Sequence, residues 1–238
     1  MIRIFNRRFF STVVITIILI TGIYKGAHYF WGEHCVTFFK GIIRNPSQVG
    51  AVTPASVFVA REITRPITTY AKDAPLRVLE VGGGSGIFTT AIEAALADHT
   101  GDYTVDVVEI DPEYCAVLQE RFATNQHFTI HCENILNFSA DEPYDIIVSS
   151  LPFNTLDTTL VRHILDHYKK LVVPGGKVSF VEHMWFPSLT ELLKRGEDKK
   201  DFRTRRALIK EFRESYPHEV VSVYANISPM YVYHLTLN

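Results

Sequence analysis

The chain has 238 residues, of which 47% are hydrophobic, so it can bury one sizeable core, and one domain suffices once residues 1–31 are set aside. Its formal net charge of −2 provides no overall field for holding a polyanion, so nucleic acid is not an expected partner. The three cysteines are widely spaced and form no Cys-x-x-Cys pair, a pattern that predicts neither a disulfide framework nor a zinc site and favours a reducing compartment.

Residues 1–31 differ in composition from the rest of the chain and are predicted to form a hydrophobic helix that attaches to a membrane. Arg3, Arg7 and Arg8 precede a run of sixteen residues, 9–24, that contains no charged residue and no proline. A spanning helix needs roughly 20 apolar residues, so the run is marginal unless it continues into the aromatic cluster at residues 29–31. A spanning anchor, an interfacial helix, a cleaved signal peptide and a buried core helix all remain open.

The basic residues around this run bear on the orientation of the protein. The arginines before it would hold the N-terminus in the cytoplasm, so one full crossing would deliver the rest of the chain to the far side. An interfacial or re-entrant segment avoids this outcome, and so does an orientation set instead by Lys25, Lys40 and Arg44. We expect a membrane-associated protein whose main domain faces the cytoplasm.

The remainder of the chain is predicted to comprise a helical lead-in, residues 32–75, that could contact a membrane or substrate, and one α/β domain, residues 76–238. Apolar runs alternate there with helical stretches, which indicates parallel βαβ units and hence a doubly wound, mostly parallel, Rossmann-like sheet. The last two strands are expected to pair antiparallel at the sheet edge. Strands are predicted at residues 76–81, 103–110, 127–132, 144–149, 177–182, 218–225 and 231–237, and helices at 87–97, 112–124 and 155–171.

The turn after the first strand is rich in glycine, with Gly82, Gly84 and Gly86 following Glu80. In a doubly wound sheet this turn contacts the ligand, and glycines let the backbone approach it closely. The third glycine of a dinucleotide fingerprint would fall at Ile87, which disfavours a nicotinamide cofactor. A Walker loop is disfavoured too, because no Gly-Lys-Ser/Thr follows the glycines.

A second acidic residue, Glu109, ends the second predicted strand. A carboxylate at this place can accept hydrogen bonds from both hydroxyls of a ribose, as in other nucleoside-binding α/β folds. Asp111 competes for this role, but its position directly before Pro112 predicts that it caps the following helix.

Three segments, residues 78–86, 108–111 and 149–154, resemble the first, second and fourth motifs of class I S-adenosylmethionine-dependent methyltransferases. The resemblance implies a methyltransferase fold with S-adenosylmethionine as cofactor. It also implies that Asn134 stands where the family usually has an aspartate that accepts from the adenine amino group. The residues that the resemblance implies for cofactor binding are Glu80, Gly82, Gly84, Gly86, Glu109, Asn134 and Ser149.

Within the superfamily, residues 45–56 resemble the stretch that precedes the cofactor domain in bacterial phosphatidylethanolamine N-methyltransferases. The related ribosomal RNA adenine dimethylases have Asn-Leu-Pro-Tyr in the fourth motif, where this chain has Ser150, Leu151, Pro152 and Phe153. Loss of the asparagine disfavours base methylation, although the lipid enzymes typically have glycine at the position of Ser150. The resemblance therefore implies methyl transfer to the amine of phosphatidylethanolamine, a phospholipid at a membrane surface.

Ser149, Ser150 and the carbonyls around Pro152 are predicted to orient the amine. Glu182 or His183 is predicted to accept its proton. For Glu182 and His183, a strand-end position facing solvent is an equal alternative. An anchored RNA or small-molecule methyltransferase and a non-catalytic cofactor-binding protein also remain open.

Two further features favour structural interpretations. His163 and His167 lie four residues apart with no evident third ligand, so no metal is expected. Residues 194–213 are rich in lysine and arginine and are predicted to form a solvated helix, with contact to a head-group phosphate as the alternative.

Overall fold

The computed structural model describes residues 55–185, 191, 194–226 and 228–238. The predicted hydrophobic helix at residues 1–31 and most of the lead-in lie outside the described residues. Among the helices of the described residues, none is both long and apolar enough to cross a bilayer.

The predicted doubly wound architecture is present as one seven-stranded sheet with the strand order β3-β2-β1-β4-β5-β7-β6. Strands β1 to β5 pair in parallel, and β7 runs antiparallel between β5 and β6, as expected for the C-terminal pair. The strands are β1 Leu76–Val81, β2 Tyr103–Val108, β3 Phe128–His131, β4 Tyr144–Ser149, β5 Val172–His183, β6 His218–Val223 and β7 Met230–Thr236.

Helices cover both faces of the sheet because alternate residues of each strand point to opposite sides. Val78 of β1 lies in the core beneath the first four helices, whereas the next residue, Leu79, lies in the core beneath the last two. Both cores are closely packed and largely buried, so the sheet is a rigid platform for its carboxyl edge. The helices are α1 Val57–Ile63, α2 Arg65–Thr68, α3 Ile87–Leu96, α4 Pro112–Phe122, α5 Thr158–Leu171 and α6 Gly196–Glu214.

The start of α4 follows the sequence prediction. The Asp111 carboxylate accepts hydrogen bonds from the backbone N–H groups of Glu113 and Tyr114 at 2.9 and 3.3 Å, and Pro112 occupies the first helical turn. Asp111 is therefore the N-cap, which leaves Glu109 as the carboxylate available at the end of β2.

Strand β5 begins at Val172, five residues before the predicted start. The intervening Pro174, Gly175 and Gly176 have the sequence pattern of a turn and lie outside every predicted strand. Instead, the Gly176 carbonyl accepts a hydrogen bond from the backbone N–H of Leu237 at 3.0 Å, which pairs this segment with the end of the chain. Pairing between distant segments therefore overrides the local turn pattern.

The cysteine prediction is wrong, because Cys115 of α4 and Cys132 after β3 form a disulfide, with their Cα atoms 5.7 Å apart. Sequence spacing did not reveal the pair, since only the packing of α4 beside β3 brings the two residues together. The cysteines consequently give no support for a reducing compartment.

The first described residues are joined to the loop between β6 and β7. The backbone N–H of Ser56 donates to Oδ1 of Asn226 at 2.8 Å, and the Ser56 hydroxyl donates to the Ala225 carbonyl at 2.7 Å. Ser56 also caps α1 by accepting from the N–H of Val59 at 3.4 Å. Because Ser56 and Asn226 are both buried, these bonds hold α1 against the sheet.

Replacing Asn226 with alanine removes the buried acceptor of the Ser56 N–H and should lower the free energy of unfolding by about 1–3 kcal/mol. Asn137→Ala is the matched control because Asn137 is exposed, and it should change the free energy by no more than about 0.5 kcal/mol. Urea unfolding of the two variants and the unmodified protein measures the difference. Equal effects of the two substitutions would contradict this role of Asn226.

Candidate functional site

A cavity of about 270 Å³ opens at the carboxyl ends of the parallel strands, where the strand order reverses between β1 and β4. This reversal is the usual ligand position in an open α/β sheet. The cavity is bounded by the glycine turn after β1, the end of β2, the loop after β3, the fourth motif after β4 and the start of α5. Its walls are mainly apolar, with a few polar groups at one side.

The glycine turn needs its glycines for two separate reasons. Gly82, Gly84 and Gly86 have φ values of +82°, +51° and +83°, a region that residues with a Cβ rarely adopt. A Cβ atom on Gly82 would also lie 2.6 Å from Oγ of Ser150. The Ser150 hydroxyl donates to the Gly82 carbonyl, so the first and fourth motifs are in direct contact.

Glu109 is arranged as a buried acceptor at the cavity. Its two carboxylate oxygens accept from the backbone N–H groups of Gly84 and Asp111, each at 2.7 Å. Burial raises the pKa of Glu109 above its ordinary value. Each oxygen of an ionised carboxylate has a further lone pair, so both can still accept from ribose hydroxyls.

Asn134 lies across the cavity in the loop after β3. Its Oδ1 accepts from the backbone N–H of Leu136 at 2.9 Å, which orients the side-chain amide. The same oxygen keeps a second lone pair for an adenine amino group. Ile110, whose surface is 57% exposed, and Ile135 also line the cavity and offer apolar faces to an adenine ring.

Other residues predicted to bind the cofactor lie behind the cavity wall. Ser149 is fully buried, and its Oγ accepts from the hydroxyl of Tyr168 at 2.8 Å. Glu80 is also fully buried, and Gly86 caps α3. Among the predicted residues, Gly82, Gly84, Glu109 and Asn134 line the cavity, as do Ser150 and Pro152. Their contacts with bound molecules stay predictions.

Glu182 and His183 line a second pocket beside the cavity. A Glu182 oxygen accepts from Nδ2 of Asn154 at 3.1 Å, and the Glu182 carboxylate is 3.7 Å from the Arg213 guanidinium. Nδ1 of His183 lies 3.0 Å from the Ser228 hydroxyl, and burial lowers the pKa of His183. Both side chains thus have structural partners, and their predicted role as proton acceptors stays a prediction.

Sequence analysis missed the apolar wall of the cavity formed by Leu156, Leu160 and Ile164. The spacing of four residues places these side chains on one face of the chain entering α5 and could have indicated them. Across the described ranges, no three His, Cys, Asp or Glu side chains are grouped to hold a metal ion.

A known protein family matches the part of the chain that forms most of this cavity. Residues 78–176 match the methyltransferase domain family Methyltransf_25, a range that contains the glycine turn, Glu109, Asn134 and the fourth motif. The fold, the cavity and the matched domain together define the protein as an S-adenosylmethionine-dependent methyltransferase.

Its relatives include enzymes with lipid and RNA substrates. The chain is 27% identical over 154 residues to an ornithine lipid N-methyltransferase of Singulisphaera acidiphila, a match that covers 62% of this chain and 77% of the relative. It is 32% identical over 95 residues to a ribosomal RNA small subunit methyltransferase A of Pseudomonas putida, covering 38% of this chain and only 33% of that protein. The chain thus spans a third of the RNA enzyme but most of the lipid enzyme.

A solved structure has the same fold. The O-methyltransferase TomG from Streptomyces achromogenes, in complex with S-adenosylmethionine, matches with a TM-score of 0.60 at 14% identity, covering 87% of this chain and 90% of TomG. At this identity the likeness concerns the fold alone.

The residues present fit S-adenosylmethionine as the cofactor. The turn at Gly82 to Gly86 provides a cradle that side chains would obstruct, Glu109 suits the ribose, and Ile110 and Asn134 suit the adenine. When bound, S-adenosylmethionine supplies a methyl group on a positively charged sulfur. The protein itself positions the reacting groups and excludes water from them.

Gly82→Ala should abolish binding of S-adenosylhomocysteine by the full-length protein, because the added Cβ strains the turn and displaces Ser150. Gly175→Ala is the matched control. Gly175 has a similar φ of +81° but lies outside the cavity lining, and a Cβ added there would meet no atom within 4 Å. Calorimetric titration should show binding lost only in the first variant; equal losses would contradict a role for the turn in the cavity.

Glu80 should make stability depend on pH. Burial, reinforced by the charge of Glu109, raises the pKa of Glu80 from 4.5 to about 8. Between these values the unfolded chain releases a proton that the folded chain keeps, so the free energy of unfolding should fall as pH rises from about 5 to about 8. In Glu80→Gln this fall should be smaller, whereas the exposed control Glu142→Gln should follow the unmodified protein. Urea unfolding at several pH values without cofactor measures the slopes, and identical slopes for all three proteins would refute the assignment.

Proposed function

We propose that the protein transfers methyl groups from S-adenosylmethionine to the amine of a membrane lipid, with phosphatidylethanolamine as the substrate. The observation that carries this proposal is the direction of Phe153 in the fourth motif. Phe153 is 2% exposed and packs edge-on against Phe180 and Tyr168, with ring centroids 5.7 and 6.4 Å away. It is part of the core and has no free ring face for stacking on a nucleobase.

This arrangement disfavours methylation of a nucleobase amine. The resembling RNA dimethylases stack the corresponding aromatic ring on the target base and hold the amine with an asparagine, which is Ser150 here. The net charge of −2 adds no general attraction for RNA. The similarity to a ribosomal RNA methyltransferase therefore supports a shared cofactor domain more than a shared acceptor.

Two further observations support a lipid acceptor. The ornithine lipid N-methyltransferase of Singulisphaera acidiphila, by its name, methylates a lipid on nitrogen, and most of its length matches this chain. The sequence of residues 9–24 is apolar enough to attach the protein to a membrane surface. We also place the catalytic domain on the cytoplasmic side in this proposal, because S-adenosylmethionine is a cytosolic metabolite.

The chemistry requires a neutral amine, since the nitrogen lone pair forms the new N–C bond as the C–S bond breaks. An ethanolamine ammonium resembles that of lysine, with a pKa of about 10, so the site must favour the free base. The apolar wall of Leu156, Leu160 and Ile164 disfavours the charged form by excluding water. Ser150 lines the cavity, and because its hydroxyl hydrogen is donated to the Gly82 carbonyl, its oxygen can accept from the amine and orient it. The Pro152 carbonyl already accepts from the backbone N–H and the hydroxyl of Thr155, at 2.8 and 3.0 Å.

The test is transfer of labelled methyl from S-adenosylmethionine by the full-length protein. Vesicles of phosphatidylethanolamine in phosphatidylcholine, vesicles containing ornithine lipid, and unmodified ribosomal RNA serve as parallel acceptors. We expect label in mono-, di- or trimethylated phosphatidylethanolamine, which also gives the number of steps. Label in ornithine lipid alone would correct the substrate, and label in RNA alone would overturn the proposal.

Gly82→Ala provides the inactive control for this assay, because loss of cofactor binding should remove transfer to every acceptor. Gly175→Ala should retain transfer. Label that persists in a Gly82→Ala preparation shown by titration not to bind S-adenosylhomocysteine would come from a contaminating enzyme.

A further inference from the structure

A second pocket of about 320 Å³ lies beside the cofactor cavity, between α6 and the ends of β5 and β7. One side of α6 lines it with four basic residues, spaced three or four positions apart and hence on one helix face. These residues, called the basic stripe below, are Arg203, Arg206, Lys210 and Arg213.

The pocket carries positive charge. The basic stripe provides four positive charges, and among the described residues that line the pocket the carboxylates are Glu182 and Glu191. Glu214 lies 3.8 Å from Lys210 and 3.9 Å from Arg213, so these charged groups together sum to +1. His183 does not alter this sum, because burial lowers its pKa and keeps it neutral near pH 7. A pocket with this balance favours an anionic ligand.

The geometry of the stripe already suits an oxyanion. The two carboxylate oxygens of Glu191 lie 2.7 Å from Nε of Arg203 and 3.2 Å from Nη1 of Arg206, so one carboxylate bridges two guanidinium groups. Phosphate oxygens also accept charge-assisted hydrogen bonds from arginine, so a phosphate can bridge two guanidinium groups in the same way. Glu191 thus shows that the two guanidinium groups can converge on a single anion.

Side-chain contacts join α6 to the cofactor cavity at one end and to β7 at the other. The buried guanidinium of Arg205 donates to the carbonyl of Leu156, which lines the cofactor cavity, and pairs with Asp201 at 3.1 Å. At the other end, Arg213 donates to the Tyr233 hydroxyl at 2.9 Å and lies over its ring. The basic stripe is therefore held at a fixed place relative to the cavity.

The two pockets share the same strand ends. Val181 and Met230 line the cofactor cavity, whereas the adjacent residues Glu182 and Tyr231 line the second pocket. Asn154, the last residue of the fourth motif, donates to Glu182 at 3.1 Å and joins the two sites. In phosphoethanolamine only a two-carbon bridge separates the amine from the phosphate oxygen, so neighbouring sites can hold both groups.

Exposed aromatic residues at the same edge favour a lipid as the source of the anion. Trp185 follows β5 and Tyr224 follows β6, two strands that run in the same direction, and their side chains are 66% and 69% exposed. Tryptophan and tyrosine are the residues enriched where proteins meet the head-group layer.

From these observations we infer that the second pocket binds the phosphate of the acceptor's head group and so positions its amine at the cofactor cavity. This assignment rests on the proposed lipid N-methyltransferase function and names the group by which the substrate is recognised. Arg203 and Arg206 make the direct contacts, with the phosphate replacing the Glu191 carboxylate between the two guanidinium groups. Arg213 contacts Tyr233 and Glu182 and thereby holds these two side chains in place at the pocket wall.

The first experiment measures steady-state kinetics of the full-length protein with phosphatidylethanolamine in mixed micelles. The double substitution Arg203→Gln and Arg206→Gln should raise KM for the lipid by about tenfold or more, because two phosphate contacts are lost. KM for S-adenosylmethionine should stay within about twofold, since neither residue lines the cofactor cavity. Arg213 is left intact because its substitution would also remove packing on Tyr233.

The matched control is Lys72→Gln with Lys200→Gln, which makes the same change in net charge at exposed positions outside the pocket. It should leave both KM values unchanged. An unchanged lipid KM in the arginine variant, or an equal rise in the control, would overturn the assignment.

A binding experiment separates this inference from the proposed function. O-phosphoethanolamine, ethanolamine and inorganic phosphate are titrated into the full-length protein loaded with S-adenosylhomocysteine. Only phosphoethanolamine should bind well, and the arginine variant should lose that binding. Inorganic phosphate binding as tightly would indicate a general oxyanion site and overturn the assignment to the acceptor. Arginine-dependent binding of phosphoethanolamine without any lipid methylation would leave the pocket assigned and refute the proposed function.

Discussion

The contact between Gly82 and Ser150 determines how closely the ends of β1 and β4 approach and thereby shapes the cofactor cavity. The Ser150 hydroxyl meets the Gly82 carbonyl, which closes the gap between the ends of β1 and β4. This approach is possible only because residue 82 has no Cβ and takes a positive φ. The first motif and the fourth motif are thereby placed on one continuous wall of the cavity.

The buried carboxylates next to this wall lower the stability of the fold. Glu80 lies fully buried behind the turn, and burial raises its pKa to about 8, while Glu109 is held by two backbone N–H groups. Neither residue contributes to an apolar core, so each buried carboxylate lowers the free energy of unfolding. Their oxygens are nevertheless in place as hydrogen-bond acceptors before a ligand binds. The closely packed cores on both faces of the sheet supply the stability that tolerates them.

Successive residues at the ends of β5 and β7 point to opposite faces of the sheet, so the same strand ends line two adjoining pockets. Residues on one side, such as Val181, line an apolar cavity suited to a cofactor and a neutral amine. Residues on the other side, such as Glu182, meet the basic face of α6. The acceptor that we propose carries an amine beside an anion and would need this separation, because a dry surface favours the free amine whereas a phosphate needs cationic partners.

The sequence by itself determined the features that depend on local pattern. Alternating apolar runs and helices predicted the doubly wound sheet, the glycine spacing predicted the turn, and Asp111 before Pro112 predicted the cap of α4. Only the tertiary structure decided that Cys115 meets Cys132, that β5 starts at Val172, and that the basic face of α6 lies beside the cofactor cavity. It also decided that Phe153 points into the core. Local hydrogen bonds and side-chain periodicity are encoded in neighbouring residues, whereas these contacts join residues far apart in the chain whose approach depends on how helices pack on the sheet.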